Sequence, residues 1–75
     1  MDMFIQLYNT DSEEDIFINK NDVEIIGVKD NVASIVMHNM SMSVKFLSYD
    51  DRLHFIRAVE GLIYNVPNVV ITFQN

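Results

Sequence analysis

Ala33-Ser34-Ile35-Val36-Met37-His38-Asn39-Met40-Ser41-Met42-Ser43-Val44-Lys45-Phe46 is the stretch that decides the fold. Apolar and small polar residues alternate through both of its halves, the period-two signature of half-buried strands. A turn at Asn39-Met40 sets His38 opposite Ser41, Met37 opposite Met42, Val36 opposite Ser43, Ile35 opposite Val44 and Ala33 opposite Phe46. Each apolar position of one face then meets an apolar position of the next strand. A slip of one residue would turn one strand's apolar set away from the core, so the agreement argues for this register.

Towards the N-terminus, residues 23–29 read as the preceding strand, and Asp30-Asn31 as a tight turn that tolerates positive φ. That turn pairs Lys29 with Val32, Val28 with Ala33, Gly27 with Ser34 and Ile26 with Ile35. Both hairpins thus choose Ala33, Ile35 and Met37 as the core face, and their agreement points to a meander. Residues 3–8 and 16–18 read as earlier strands. The polar run between them, Asn9 to Asp15, reads as a hairpin loop with four of the eleven acids, Asp11, Glu13, Glu14 and Asp15. Asn19-Lys20-Asn21-Asp22 interrupts the strands with a bend or one helical turn, because Asn and Asp side chains compete locally for backbone hydrogen bonds.

Towards the C-terminus, Ser48-Tyr49-Asp50-Asp51 supplies a helix cap and first-turn acids. Phe55, Ile56, Val59, Leu62 and Ile63 form one apolar stripe at helical spacing, with Arg57, Glu60 and Tyr64 opposite. The pattern predicts a helix over about 49–64, weakened by Gly61 in its interior and stopped by Asn65 and Pro67. Residues 69–74 are β-branched, aromatic and uncharged, and read as a C-terminal edge strand. Such an edge needs a cover, either a partner in its own sheet or another chain. Val69, Ile71 and Phe73, with Met40 from the turn, are the residues expected at an interface. The fold class expected is α+β: an antiparallel meander of four to five strands (about 3–8, 16–18, 23–29, 32–38 and 41–47), one amphipathic helix and the edge strand.

Seventy-five residues make a single domain, 1–75. A chain this short buries only about 60% of its unfolded surface, and small scaffolds commonly add a disulfide, a metal or a second subunit. Cysteine is absent and histidine numbers two, which leaves a homo-oligomer as the expected supplement and no cofactor. No apolar run approaches the ~20 residues of a membrane span. The acidic start and the lack of cysteine make a cytoplasmic, soluble protein the expectation. The formal charge of −6 argues against direct nucleic-acid binding, which needs a basic footprint.

No catalytic motif emerges. His38 and His54 lack a serine or carboxylate at triad spacing, although Asp50 lies one helical turn before His54. Gly27 and Gly61 stand alone and make no phosphate loop. The acids Asp11, Glu13, Glu14 and Asp15 lack the spaced ligands and glycine of a calcium loop; together with Asp22 they mark a candidate acidic surface. Lys45, Arg52 and Arg57 are the candidate anion contacts. Phe4, Tyr8 and Phe17 could be exposed, but their charged neighbours are acidic. Met37 and Met42 read as core, and Met40 as free.

Leu7-Tyr8-Asn9, Ile18-Asn19 with Asp22-Val23, Ala33-Ser34-Ile35-Val36-Met37 and Val44-Lys45-Phe46 running into the helix give the chain an order of elements that resembles the small flagellar FlbD/YlzI-type proteins. The resemblance spans roughly residues 3–60 and implies short hairpins followed by one helix, with a role in motility. The chain departs from that pattern in lacking a turn glycine in 31–45 and in adding a strand at 68–75. The Asn, Ile and Asp richness also suits a small open reading frame of an AT-rich bacterium or its phage. The function expected is a non-enzymatic module that binds protein, as a homo-oligomer. The alternatives are an acidic inhibitor mimicking nucleic-acid charge and a nucleotide binder at a subunit cleft.

Overall fold

Six strands and one helix run in the order β1 (Phe4–Asn9), β2 (Glu14–Asn19), a 3-10 turn (Lys20–Asp22), β3 (Val23–Lys29), β4 (Val32–Met37), β5 (Ser41–Phe46), α1 (Tyr49–Val59) and β6 (Asn65–Gln74) in the computed structural model, which describes residues 3–74. The strands form one mixed sheet in the order β2-β1-β6-β5-β4-β3. The fold is α+β, as the alternation predicts, but the sheet is not a pure antiparallel meander, because β1 and β6 run parallel.

The edge position expected for the C-terminal strand is overturned. β6 lies between β1 and β5 near the middle of the sheet, and starts at Asn65 rather than 69. A strand paired on both sides has no free edge to guard with charge, which accounts for the uncharged tail without a second chain. Pro67 is tolerated in this internal strand because it sits in a bulge. Val66 pairs with Leu7 and Val69 with Asn9, so Pro67 and Asn68 together oppose the single Tyr8, and Asn68 takes a φ of 56°. Bulges are where a sheet accepts proline. Side chains repair the interrupted ladder. Asn9 Oδ1 accepts from the Ile71 amide at 3.2 Å, and the Thr10 amide and hydroxyl both donate to the Val69 carbonyl.

The β3–β4 hairpin has the predicted register, Lys29 with Val32 through Ile26 with Ile35. Its turn places Asp30 at a φ of 54°. The β4–β5 hairpin is shifted by two residues from the predicted pairing. Ala33 faces Val44 and Ile35 faces Met42, while residues 38–40 form the loop, with the Met37 amide donating to the Met40 carbonyl at 2.8 Å. A shift of two preserves every inward-facing position, so Ala33, Ile35, Met42, Val44 and Phe46 are all buried.

The two outermost strands, β2 and β3, are consecutive in the chain and joined by only Lys20–Asp22. Laid flat, six strands would hold their edges ~24 Å apart at ~4.8 Å per spacing. The step from Asn19 to Val23 can reach only ~14 Å. The sheet therefore curls until its two edges converge at one corner, next to the hydrogen bond from the Lys20 amide to the Met3 carbonyl that extends the β1–β2 ladder. The curl encloses a core of Ile5, Leu7, Ile18, Ala33, Ile35, Met42, Val44, Phe46, Val66, Val69 and Ile71. The helix closes it with Phe55 and Ala58 over β6 and β5, the Phe55 ring 5.3 Å from that of Phe46.

Ser48 caps the helix reciprocally with Asp51. The Asp51 amide donates to Ser48 Oγ at 3.1 Å, and the Ser48 hydroxyl donates to the Asp51 carboxylate at 2.8 Å. The helix ends at Val59, short of the predicted 64, because Gly61 terminates it rather than weakening its interior. Gly61 adopts a φ of 85°, its amide donates to the Ala58 carbonyl, and the Leu62 amide donates to that of Arg57. That is the two-bond left-handed helix stop. The predicted stripe is corrected accordingly: Val59 and Leu62 are exposed, Leu62 at 71%, and the buried helix positions are Asp51, Phe55 and Ala58.

Candidate functional site

Strand alternation divides the β1–β2 hairpin into an inner face and an outer face. Ile5 with Ile18 and Leu7 with Ile16 point inward, while Phe4 with Asn19, Gln6 with Phe17 and Tyr8 with Asp15 point outward. Phe4 and Phe17 occupy diagonal positions on the outer face, close enough for aromatic side chains to act together. They are 48% and 60% exposed. Next to them a small recess of about 140 Å³ is lined by Gln6, Tyr8, Asp15, Asn65, Val66 and Pro67. The acidic loop closes this end of the hairpin, with Asp11, Glu13, Glu14 and Asp15 all exposed. Exposed aromatics along the hairpin and carboxylates at its loop end suit a partner presenting both apolar and cationic groups.

The predicted site residues do not all converge. Asp22 sits in the 3-10 turn beyond Asn19, at the opposite end of β2 from Asp11 to Asp15. A six-residue strand, ~17–20 Å, separates them, so the five acids do not form one patch. Lys45 alternates with buried Val44 and Phe46 and points to the outer face of the sheet, whereas Arg52 and Arg57 lie on the helix packed against the inner face. Arg52 and Arg57 are also five residues apart, which puts them on different sides of the helix. Arg52 Nε donates to the Asp30 carbonyl at 2.9 Å. It borders an open cleft of about 570 Å³ with Asp30, Asn31, Phe46, Leu47, Ser48 and Tyr49. The Asp30 carboxylate in that lining works against an anionic ligand.

Of the expected interface residues, Val69 and Ile71 are buried inside the chain's own core, and only Phe73 is substantially exposed. Met40 is half-buried in the β4–β5 loop, Met42 is buried and Met37 packs at the core margin. His54 Nδ1 lies 2.7 Å from the Asp50 carbonyl oxygen. A carbonyl can only accept, so this nitrogen carries the proton, and the Asp50 backbone rather than its carboxylate is the partner. His38 Nδ1 stands 3.8 Å from the Glu24 carboxylate, both side chains well exposed. Among the described residues no three His, Asp or Glu side chains are grouped to hold a metal, and no helix is long and apolar enough to cross a membrane.

Sequence reading passed over the free edge of β3. Its outward Ile25 is 63% exposed, and Glu24 and Lys29 bracket its uncharged run. Opposite charges at the two ends of an apolar strand were the signal available for it. No protein-family model, curated protein or solved structure matches this chain.

Proposed function

We propose that this chain is a non-enzymatic protein-binding module, and that its contact surface is the outer face of the β1–β2 hairpin. The observation that carries this reading is the exposure of Phe4 and Phe17 at diagonal positions on the outer face of the hairpin, with Asp15 two residues before Phe17 on the same face. Exposed aromatic pairs on ordered strands are strong anchors at interfaces because little side-chain entropy is lost on binding. The net charge of −6 selects a basic partner surface and speeds encounter with it.

The test compares the wild-type chain with a Phe4→Ser/Phe17→Ser double variant as bait in its native cell extract, at low and high salt. The expected result is one or more basic proteins retained by the wild type at low salt, weakened at high salt, and lost with the double variant while its circular dichroism is unchanged. Retention of the same proteins by both baits would overturn the assignment of the surface. Retention of none by the wild type would overturn the reading itself.

A further inference from the structure

We infer that β3 is the contact strand of a symmetric dimer, its free edge pairing antiparallel with β3 of a second copy about a two-fold axis at Gly27. The two sheet edges are not equivalent. β2 carries charge at one end only, Glu14 and Asp15, so two copies paired antiparallel along it would set those carboxylates opposite the uncharged end of the strand, with no ion pair between strand residues. β3 carries one charge of each sign, Glu24 and Lys29, at the two ends of the uncharged run Ile25-Ile26-Gly27-Val28. Reversed against itself, such a strand is self-complementary, the requirement of a two-fold interface.

The core also differs at the two edges. On β2 Ile18 is fully covered and Ile16 partly, while all three inward residues of β3, Val23, Ile26 and Val28, are only partly buried, as is Met37 beside them. The helix lies over β6 and β5 and leaves this margin uncovered. A second β3 would continue the sheet and extend cover over those side chains.

Register follows from geometry. A two-fold axis perpendicular to a sheet preserves its inner and outer faces, so antiparallel self-pairing must set one residue opposite its own copy. With Gly27 on the axis, Ile26 faces Val28 of the second copy on the inner face. β3 is bulged at its start, Val23 pairing with Met37 and Ile25 with Val36, so Glu24 and Ile25 share one place in the ladder. That shared place falls opposite Lys29 of the second copy, giving two symmetric ion pairs on the outer face. Gly27 brings no side chain to the axis, and a Cβ built there meets nothing within 4 Å.

Sedimentation equilibrium across the micromolar range tests the inference. The wild type is expected to show a reversible monomer–dimer equilibrium. Glu24→Lys and Lys29→Glu should each weaken it by about tenfold or more, since like charges then face each other twice. The double exchange Glu24→Lys/Lys29→Glu should restore it. The natural chain has no cysteine, so a Gly27→Cys variant supplies a second readout: it should oxidise to a covalent dimer, while Asn39→Cys, in the β4–β5 loop, should not. A wild type that stays monomeric, a dimer indifferent to either single reversal, a double exchange no better than the singles, or equal cross-linking at both cysteines would each overturn the assignment. None of these outcomes alters binding through Phe4 and Phe17, which the capture experiment reads separately.

Discussion

β6 and β3 look alike as strings and differ completely as neighbours. Both are β-branched runs, Val69-Val70-Ile71-Thr72-Phe73 in one and Val23-Glu24-Ile25-Ile26-Gly27-Val28 in the other. β6 has partners on both sides and buries Val66, Val69 and Ile71. β3 has a partner on one side only and leaves Ile25 mostly exposed. What separates them is the handling of the edge. β3 has charges, a bulge and a glycine, the devices by which edge strands limit indiscriminate pairing. β6 has no charge because no edge of it is offered to solvent. An uncharged strand is thus better evidence for an internal position than for an exposed, sticky one.

One side chain type tested in both strands would break or sharpen this contrast most strongly. Ile71→Ala should lower the free energy of unfolding by about 2–5 kcal/mol, the cost of a buried large-to-small change. Ile25→Ala, measured by urea unfolding in dilute protein, should stay within about 0.5 kcal/mol of wild type. Equal losses would erase the difference between the strands. Asn9→Ala comes next. It orphans the buried Ile71 amide at the point where the β1–β6 ladder is interrupted, and should cost about 1–3 kcal/mol. Gly61→Ala should cost about 1 kcal/mol, because the helix stop that delivers the chain into β6 holds that residue at positive φ. Lys29→Glu is the smallest in stability, within about 0.5 kcal/mol for an exposed site, and its effect should show in self-association alone.

Much of this was legible in the residues. The Asp30-Asn31 turn fixed the β3–β4 register because a two-residue loop allows one closure. Ser48 with Asp51 marked the helix start. The β4–β5 alternation identified the core face but not the register, since alternation repeats every two residues and a shift of two leaves Ala33, Ile35 and Val44 facing inward. Gly61 was legible as a defect and not as a stop, because its role depends on a left-handed φ and on the exposure of Leu62. The place of β6 was least legible. Pro67 and Asn68 argue locally against a strand, and only pairing with β1, some sixty residues earlier, reveals the bulge that accommodates them. For the candidate site, the aromatic content of the first hairpin was visible. Its outward face depended on knowing that Ile5, Leu7 and Ile18 fill the core.

Amide hydrogen exchange, followed strand by strand at low and at high protein concentration, tests the central contrast most directly. Amides of β6 from Val69 to Thr72 should exchange only through global unfolding, with protection independent of concentration. Amides on the outward edge of β3, between Ile25 and Lys29, should exchange rapidly in dilute protein and gain protection as concentration rises. Rapid exchange in β6, or β3 protection that ignores concentration, would contradict an internal C-terminal strand and an edge strand open to a second copy.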